Sequence, residues 1–340
     1  MTIKKVTSLD VARLAGVSQS AVSRVYTKGA SVSKAMEDRV RAAAEELGYR
    51  PNALARGLIT GRSRIIGLVV AYLNNPFYAE AIERLSNAVQ AEGYHLLIFT
   101  AGKNGLDTDK IISQLIDYQV DGIITASITL TTNLTKRCAS AGIPVVLFNR
   151  SMPRSGLSAV TSDNLAGGRK AAEFLLAAGH TRIAHIQGFK DASTTHDRLV
   201  GFETALDAAG LGLIALADGK FTREAAVEAA RGLMDTDNPP DAIFVANDHM
   251  ALAVMDVLRF DLGGSVPGDV SVVGYDDVPM ASWPAYDLTT VRQPTRRMVK
   301  ATVSELLAQM DAPGRAARRI EIDGPLVVRG SARLPEGFTE

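Results

Sequence analysis

The sequence predicts a small all-α head followed by a larger α/β body of two similar lobes with parallel sheets. Three observations predict this. The first 50 or so residues carry three short helix patterns, short apolar runs alternate with helical stretches from Arg64 onward, and that cadence occurs twice, before and after about residue 162. A chain of 340 residues suffices for two or three domains, each burying its own core.

Composition bounds the function. The 37 Lys and Arg balance 37 Asp and Glu, which excludes a wholly basic, histone-like binder. The balance is a cancellation, however. Residues 1–60 hold ten basic and five acidic side chains, a charge of +5 that leaves −5 for the rest, so head and body are built for different partners. One cysteine, Cys138, excludes an intrachain disulfide framework and a multi-cysteine zinc site, and fits a reducing cytoplasm. The best apolar run, Ile65–Ala71, is far below the roughly 18–20 residues of a membrane span, and the opening residues carry charge with no apolar stretch behind them. Neither a membrane partner nor a secretory signal is expected.

In the head, Ser8 can cap a helix over 9–15, with Asp10 near the positive end of its dipole. Gly16 follows, and Ser18 caps a second helix over about 19–26. Ala12, Gly16, Val22 and Val25 stand at the spacing that two steeply crossing helices need. A small residue lies where the backbones approach, a glycine where the turn takes positive φ, and apolar residues on the inner face. A third helix after Ser33 carries Met36, Val40, Ala43, Ala44 and Leu47 on one stripe and stops at Gly48. The second helix then turns Gln19, Ser20, Ser23 and Arg24 outward. Gln suits adenine and Arg suits guanine in the major groove, while hydroxyls suit phosphates. A generic three-helix bundle with a polar face is the rival; the agreement of spacing, charge and outward side chains favours DNA binding.

Asp10-Val-Ala-Arg-Leu-Ala-Gly-Val-Ser18, Val22-Ser-Arg-Val25, Val32-Ser33 and Leu47-Gly-Tyr-Arg-Pro-Asn-Ala-Leu-Ala-Arg56 resemble the helix-turn-helix head of the LacI/GalR family of transcription regulators. The resemblance implies base reading by Gln19, Ser20 and Arg24, with Thr7, Ser8, Ser18, Ser23 and Asn52 on the DNA backbone. Ala21 stands where many members have threonine, and Tyr26-Thr27-Lys28 departs from the common sequence there. The linker from Pro51 to Thr60 offers barely two helical turns, and Gly57 weakens them by roughly 1 kcal/mol. It reads either as a flexible tether or, as the resemblance implies, as a hinge helix that orders when two copies meet in the minor groove. In that second reading Leu58 is the apolar wedge and Ala55 permits close packing.

The body's strand-like runs are Ile65–Ala71, His95–Thr100, Gly122–Ala126, Val145–Phe148, Ile183–Gln187, Ala242–Ala246 and Val270–Gly274. Helix-like stretches lie near 77–92, 107–118, 164–178, 196–209, 222–234 and 248–259. Nearly all-apolar runs suit parallel strands covered on both faces, and ligands bind such sheets at the carboxyl ends of strands. Just past strand ends stand Asn149, Asp163, Asn247, Asp248 and Asp276, with Arg198 near the start of a helix and Phe221 as an aromatic neighbour. These residues can grip hydroxyls and cover an apolar sugar face, or Asn and Asp can simply cap the next helix; both readings stand on the residues alone.

Asn74-Asn-Pro-Phe-Tyr78, Gly179-His-Thr-Arg-Ile183, Arg198-Leu-Val-Gly-Phe202, Val245-Ala-Asn-Asp-His-Met-Ala-Leu252, Ser271-Val-Val-Gly-Tyr-Asp-Asp277 and Leu288-Thr-Thr-Val-Arg-Gln-Pro294 resemble the same family, which thus spans essentially the whole chain. The resemblance implies a periplasmic-binding-protein-like body with effector contacts at Arg198, Asn247, Asp276 and Phe221, and further ones at Thr194, Asn149, Asp163, Gln293, Phe77 and Asn75. Asn149 stands where several sugar-binding members carry aspartate. The implied organisation is a head over 1–50, a hinge or linker over 51–63 and a body over 64–340. Its N-lobe takes about 64–162 and 294–323, its C-lobe about 163–292 and 324–340.

The expected function is that of a cytoplasmic, effector-responsive repressor. It binds a pseudo-palindromic operator as a homodimer, takes a sugar or sugar derivative in the inter-lobe cleft, and uses no cofactor or metal. A co-repressor-dependent regulator with a nucleoside or sugar-acid ligand is the variant. The rival class is an enzyme on a Rossmann-like body. Gly210-Leu-Gly-Leu-Ile-Ala215 matches G-x-G-x-x-A, but a helical stretch precedes it and a strand-like run follows, the reverse of what dinucleotide binding needs. The five histidines lack metal spacing, and His196 alone, two residues from Arg198, is placed to line the cleft.

Overall fold

The computed structural model describes residues 6–27, 30–50, 62–71, 73–101, 108–128 and 130–338, and the chain divides into two compact units, Met1–Ser63 and Arg64–Glu340. Asn52, Ala55 and Leu58 of the linker lie outside the described residues.

The head unit holds α1 (Ser8–Ala15), α2 (Gln19–Val25) and α3 (Lys34–Glu46). Its first cap falls one residue earlier than the sequence suggests, on Thr7 instead of Ser8. The reason is reciprocity: Asp10 N donates to Thr7 Oγ1 at 3.4 Å, and Thr7 N donates to the Asp10 carboxylate at 3.0 Å. A cap at Ser8 would have Val11 as its third helical residue, with nothing to return that bond. Gly16 takes φ +63° in the turn, and Ser18 caps α2 through Ala21 N at 3.2 Å. Val11, Ala12, Ala15, Val22, Val40, Ala43 and Ala44 form one buried cluster, with Val25 and Leu47 packed against it.

The body unit runs β1 (Ile65–Val70), α4 (Pro76–Ala91), β2 (His95–Thr100), α5 (Thr108–Asp117), β3 (Gly122–Ala126), α6 (Thr132–Ser140), β4 (Val145–Phe148) and β5 (Ser158–Ser162). It continues through α7 (Asn164–Ala177), β6 (Ile183–Gln187), α8 (Ser193–Ala208), β7 (Ala215–Asp218), α9 (Arg223–Met234), β8 (Ala242–Val245) and α10 (Asp248–Asp256), which ends in a π turn over Val257–Asp261. Last come β9 (Ser271–Asp276), β10 (Thr289–Arg292), α11 (Thr295–Asp311), β11 (Arg319–Ile322) and β12 (Leu326–Val327).

Two six-stranded sheets result, in the orders β11-β5-β4-β3-β1-β2 and β12-β10-β9-β8-β6-β7. Every pairing is parallel except the short antiparallel join of β10 and β12. The chain passes from one sheet to the other after β5, returns after β10 so that α11 packs on β3, β4 and β5, and passes over again between β11 and β12. The central strands β3, β4, β6 and β8 are buried along their whole length, which accounts for their largely apolar sequence, broken by the buried Thr125, His185 and Gln187. Among the described residues no helix is long and apolar enough to cross a membrane.

Candidate functional site

In the head, Gln19, Ser20, Ser23 and Arg24 are exposed on one side of α2, while Ala21 and Val22 are buried beneath them. Gln19 Nε2 donates to Ser8 Oγ at 2.9 Å, and the Ser18 and Ser20 hydroxyls lie 2.9 Å apart, so the start of α2 presents an ordered polar surface beside the start of α1. Thr7 and Ser18 are exposed as well, and each serves as a helix cap.

The body carries a pocket between its lobes. From the first lobe come Asn75, Phe77, Tyr78, Ser127, Asn149 and Arg150; from the second come Thr194, Arg198, Phe221, Asn247 and Asp276. The topology explains the convergence, because Ser127, Asn149 and Asn247 lie one or two residues beyond the carboxyl ends of β3, β4 and β8, and Asp276 closes β9. Asn75 and Asn247 cap α4 and α10, accepting from Phe77 N and Met250 N at 3.0 Å each. The capping and the pocket-lining readings of these asparagines are therefore compatible: the Oδ1 atom caps, and the amide nitrogen is not used by the cap.

Arg198 is only 2 % exposed, and a buried guanidinium needs fixed partners. Its Nε donates to Asn164 Oδ1 at 2.9 Å, Nη1 donates to the Ala246 carbonyl, and the guanidinium lies 3.5 Å from the centre of the Tyr275 ring. Asn164 is itself oriented by the hydrogen bond its Nδ2 donates to Ser162 O at 2.9 Å, and the Tyr275 hydroxyl is 2.7 Å from Ser162 Oγ. Glycines make the arrangement possible. A Cβ on Gly168 would overlap the Arg198 carbonyl oxygen, and one on Gly201 would overlap the Leu165 carbonyl oxygen, so α7 and α8 meet backbone to backbone and bring Asn164 within reach of Arg198.

Phe221 is delivered by unusual backbone. Lys220 and Phe221 both have left-handed φ, +50° and +53°, and a Cβ on Gly188 would occupy the space of the Phe221 ring. Ser127, Asn149 and Asp276 also have positive φ, of +60°, +65° and +133°. Such conformations cost on the order of 1–3 kcal/mol each for non-glycine residues and persist where the surrounding fold over-determines them, characteristically at ligand sites.

The electrostatics are equally specific. Burial pushes the Asp276 carboxyl up to about 7; Arg198 opposes the shift, the Asp248 charge adds to it, and Gln293 and Asn75 offset part of it. Gln293 Nε2 donates to Asp276 Oδ1 at 2.7 Å, while Asp276 Oδ2 and Asn149 Oδ1 are buried with no hydrogen-bond partner. Asp248 is fully buried and ties two segments together, accepting from Thr290 Oγ1 at 2.6 Å and Val278 N at 2.9 Å. Burial raises its carboxyl too. Burial also pushes Tyr78 up to about 12, so its hydroxyl stays protonated beside Ser127 Oγ and accepts from Asn149 Nδ2 at 2.9 Å.

Of the ten effector contacts expected from the sequence, eight line this pocket. Asp163 and Gln293 do not: Asp163 caps α7 by accepting from Ala166 N at 2.9 Å, and Gln293 stands behind Asp276. His196 is exposed and outside the lining. Tyr78, Ser127 and Arg150 line the pocket without having been singled out. Ser127 and Arg150 follow strand ends as Asn149 does, so the same rule could have found them. The Gly210 motif does have a helix before it and β7 after it. Among the described residues no cluster of His, Cys, Asp or Glu could hold a metal ion.

Comparison with known proteins agrees with both halves of this picture. Residues 7–52 match the model for bacterial regulatory proteins of the lacI family, and residues 172–332 match a periplasmic binding protein-like domain. The HTH-type transcriptional regulator CelR of Thermobifida fusca is 36% identical over 330 residues, covering 94% of this chain and 96% of CelR. The ribose operon repressor of Escherichia coli K12 is 33% identical, covering 96% of this chain and 99% of the repressor. A solved lac repressor dimer bound to operator and the anti-inducer ONPF superposes with a TM-score of 0.87 at 26% identity, over 96% of this chain and 99% of that one. With basic head, two-lobed body and inter-lobe pocket all accounted for, the chain belongs to the lacI family of bacterial regulatory proteins and is a DNA-binding, ligand-responsive transcription regulator.

Proposed function

We propose that the protein is a homodimeric repressor that reads a pseudo-palindromic operator and changes its grip when a small sugar-like molecule occupies the inter-lobe pocket. The observation that carries this reading is the pocket itself, where a buried guanidinium, strained backbone and two unpartnered acceptors converge from both lobes. Such a site suits a ligand rich in hydroxyls. Arg198, Asn247, Asp276 and Phe221 are its central contacts, with Thr194, Asn149, Phe77 and Asn75 around them; Asp163 and Gln293 act from behind the lining.

In the head, Gln19, Ser20 and Arg24 read bases, while Thr7, Ser8, Ser18, Ser23 and Asn52 hold the backbone. Residues 51–63 form the hinge, with Ala55 and Leu58 in the minor groove. The domain limits are 1–50, 51–63 and 64–340, with lobes of about 64–162 plus 294–323 and 163–292 plus 324–340. Pairing of two bodies is supported by exposed Phe260, Leu262 and Trp283; Arg259 Nη1 donates to the Ala285 carbonyl, which keeps the π turn beside the Trp283 loop. The relatives named a ribose operon repressor and a lac repressor dimer bound to operator favour a sugar effector and a dimer. No catalytic role is assigned, and DNA as the partner supports a cytoplasmic location. The ligand acts by binding one setting of the lobes better than the other; a ligand with equal affinity for both would change nothing.

The test is selection from a randomised DNA library by the full-length protein. A two-fold symmetric motif is expected, and Arg24→Ala or Gln19→Ala should alter base preference at one position of each half-site. A uniform loss of affinity with unchanged preference would remove these residues from base reading.

A further inference from the structure

We propose that the effector is an acid: a polyhydroxylated molecule with one carboxylate, whose charge is received by Arg150. The inference rests on the effector reading of the pocket and narrows its ligand from sugars in general to sugar acids.

The groups lining the pocket can be sorted by what already satisfies them. Arg198 is committed to Asn164, the Ala246 carbonyl and the Tyr275 ring, and Asp276 is the carboxylate that opposes its charge. The Tyr78 hydroxyl is occupied by Ser127 and Asn149. Arg150 stands apart. It is half-buried on the first lobe, and among the described residues it makes no ion pair or hydrogen bond; the Phe221 ring of the opposite lobe lies 5.9 Å from guanidinium carbon to ring centre, and its charge also acts on the Tyr78 hydroxyl. A cation over an aromatic face is held by the ring's quadrupole, which leaves the guanidinium's N–H donors available to a ligand. In a confined site a forked donor of this kind is complementary to a carboxylate.

The other uncommitted atoms are of opposite sense. Asn149 Oδ1 is a buried acceptor without a donor, and Asp276 Oδ2, buried without a hydrogen-bond partner, is a second when its carboxyl is ionised. A neutral sugar supplies those donors but leaves Arg150 without an anion. A simple carboxylate satisfies Arg150 but leaves both acceptors bare. A sugar acid satisfies all three at once. A phosphate ester brings a second negative charge, for which the described pocket residues offer no second uncommitted cation, so a carboxylate fits better.

The experiment uses the full-length protein and matched sets of probes: D-glucose, D-gluconate, D-glucuronate and D-glucose 6-phosphate; D-galactose, D-galactonate and D-galacturonate; D-ribose, D-ribonate and D-ribose 5-phosphate. Thermal shift finds binders, and calorimetry then measures them on wild type, Arg150→Gln, Arg150→Lys and Arg198→Met. The expected result is a carboxylate that binds at least tenfold tighter than its neutral parent. That preference should collapse toward unity in Arg150→Gln and be partly kept in Arg150→Lys. The proposal is overturned if a neutral sugar or a phosphate ester binds tightest, if Arg150→Gln leaves the preference intact, or if no carboxylate binds. Arg198→Met separates the two levels of inference. A neutral sugar whose binding is lost in Arg198→Met leaves the effector pocket standing and removes only the acid; a ligand bound equally well by Arg198→Met argues against the pocket itself.

Discussion

The two lobes of the body are the same trace drawn twice with different chemistry. Strands β1 to β5 take the positions in their sheet that β6 to β10 take in theirs, and β11 and β12 fill corresponding edges. The repetition breaks first at those edges, since β11 runs parallel to β5 over four residues whereas β12 meets β10 antiparallel over two. It breaks more deeply in what is buried. At the pocket the second lobe encloses Arg198 and Asp276, with Asp248 behind them, while the described part of the first lobe, whose buried Glu305 lies on α11 outside the pocket lining, gives the wall amides, hydroxyls, aromatic rings and one half-buried arginine. Shared topology puts strand ends at the cleft in both lobes, and side-chain chemistry then divides the labour. The second lobe holds a preset charged framework; the first supplies largely neutral hydrogen-bonding groups.

This asymmetry can be broken by substitution. Arg198→Met should have the largest effect. It leaves Asn164 Oδ1 and the Ala246 carbonyl without donors inside the protein, at roughly 1–3 kcal/mol each, so a stability loss of about 2–5 kcal/mol should be measurable by calorimetry. Gly188→Ala comes next. The added methyl must displace the Phe221 ring, with an overpacking penalty of about 1–3 kcal/mol and weaker binding of any ligand that isothermal titration identifies. Asn149→Ala, the first-lobe counterpart, removes one amide and one hydrogen bond to Tyr78, and about 1 kcal/mol is expected by urea denaturation. An Asn149→Ala loss as large as that of Arg198→Met would end the distinction between lobes.

The remaining prediction concerns pH. The folded-state Asp276 carboxyl, raised to about 7, keeps a proton that the unfolded chain releases near 4. Its contribution to stability is therefore present in acid and is lost as pH rises between about 4 and 7. Denaturation of wild type and Asp276→Asn in parallel should show wild type losing ground across that window and a constant difference above it. Burial holds His185 down near 4 and neutral above that, with Nδ1 2.8 Å from the Phe244 carbonyl. Because both proteins share this histidine, its titration cancels in the comparison.

Much of this framework was legible in the sequence. The runs at His95–Thr100, Gly122–Ala126, Val145–Phe148 and Ile183–Gln187 are strands over just those residues, because each is a compact apolar block bounded by polar or turn residues. Helices α6 and α11 and strands β10, β11 and β12 were not. Thr132–Ser140 is mostly polar, Arg319–Ile322 alternates charge with isoleucine on an edge, and two residues at β12 make no pattern. At the pocket, strand-end logic reached Asn149, Asn247 and Asp276. It could not tell that Asp163 spends its carboxylate on α7 or that Gln293 lies one layer back, since both depend on side-chain direction. Arg150 is a different case. Its place two residues past β4 is within reach of the same strand-end rule, but only the fold shows that its guanidinium lies against the Phe221 ring of the other lobe.

The repeated passage of the chain between sheets has a consequence for synthesis. The lobe begun first is not finished until five strands of the second have been made: its sheet awaits β11, and α11 must also arrive to cover β3, β4 and β5. A ribosome adding roughly 5–20 residues per second needs on the order of ten seconds or more to translate from β5 to β11. During that interval the nascent first lobe has an open strand edge and an uncovered apolar face. Polypeptide stalled or truncated ahead of residue 295 should therefore be the form that chaperones hold.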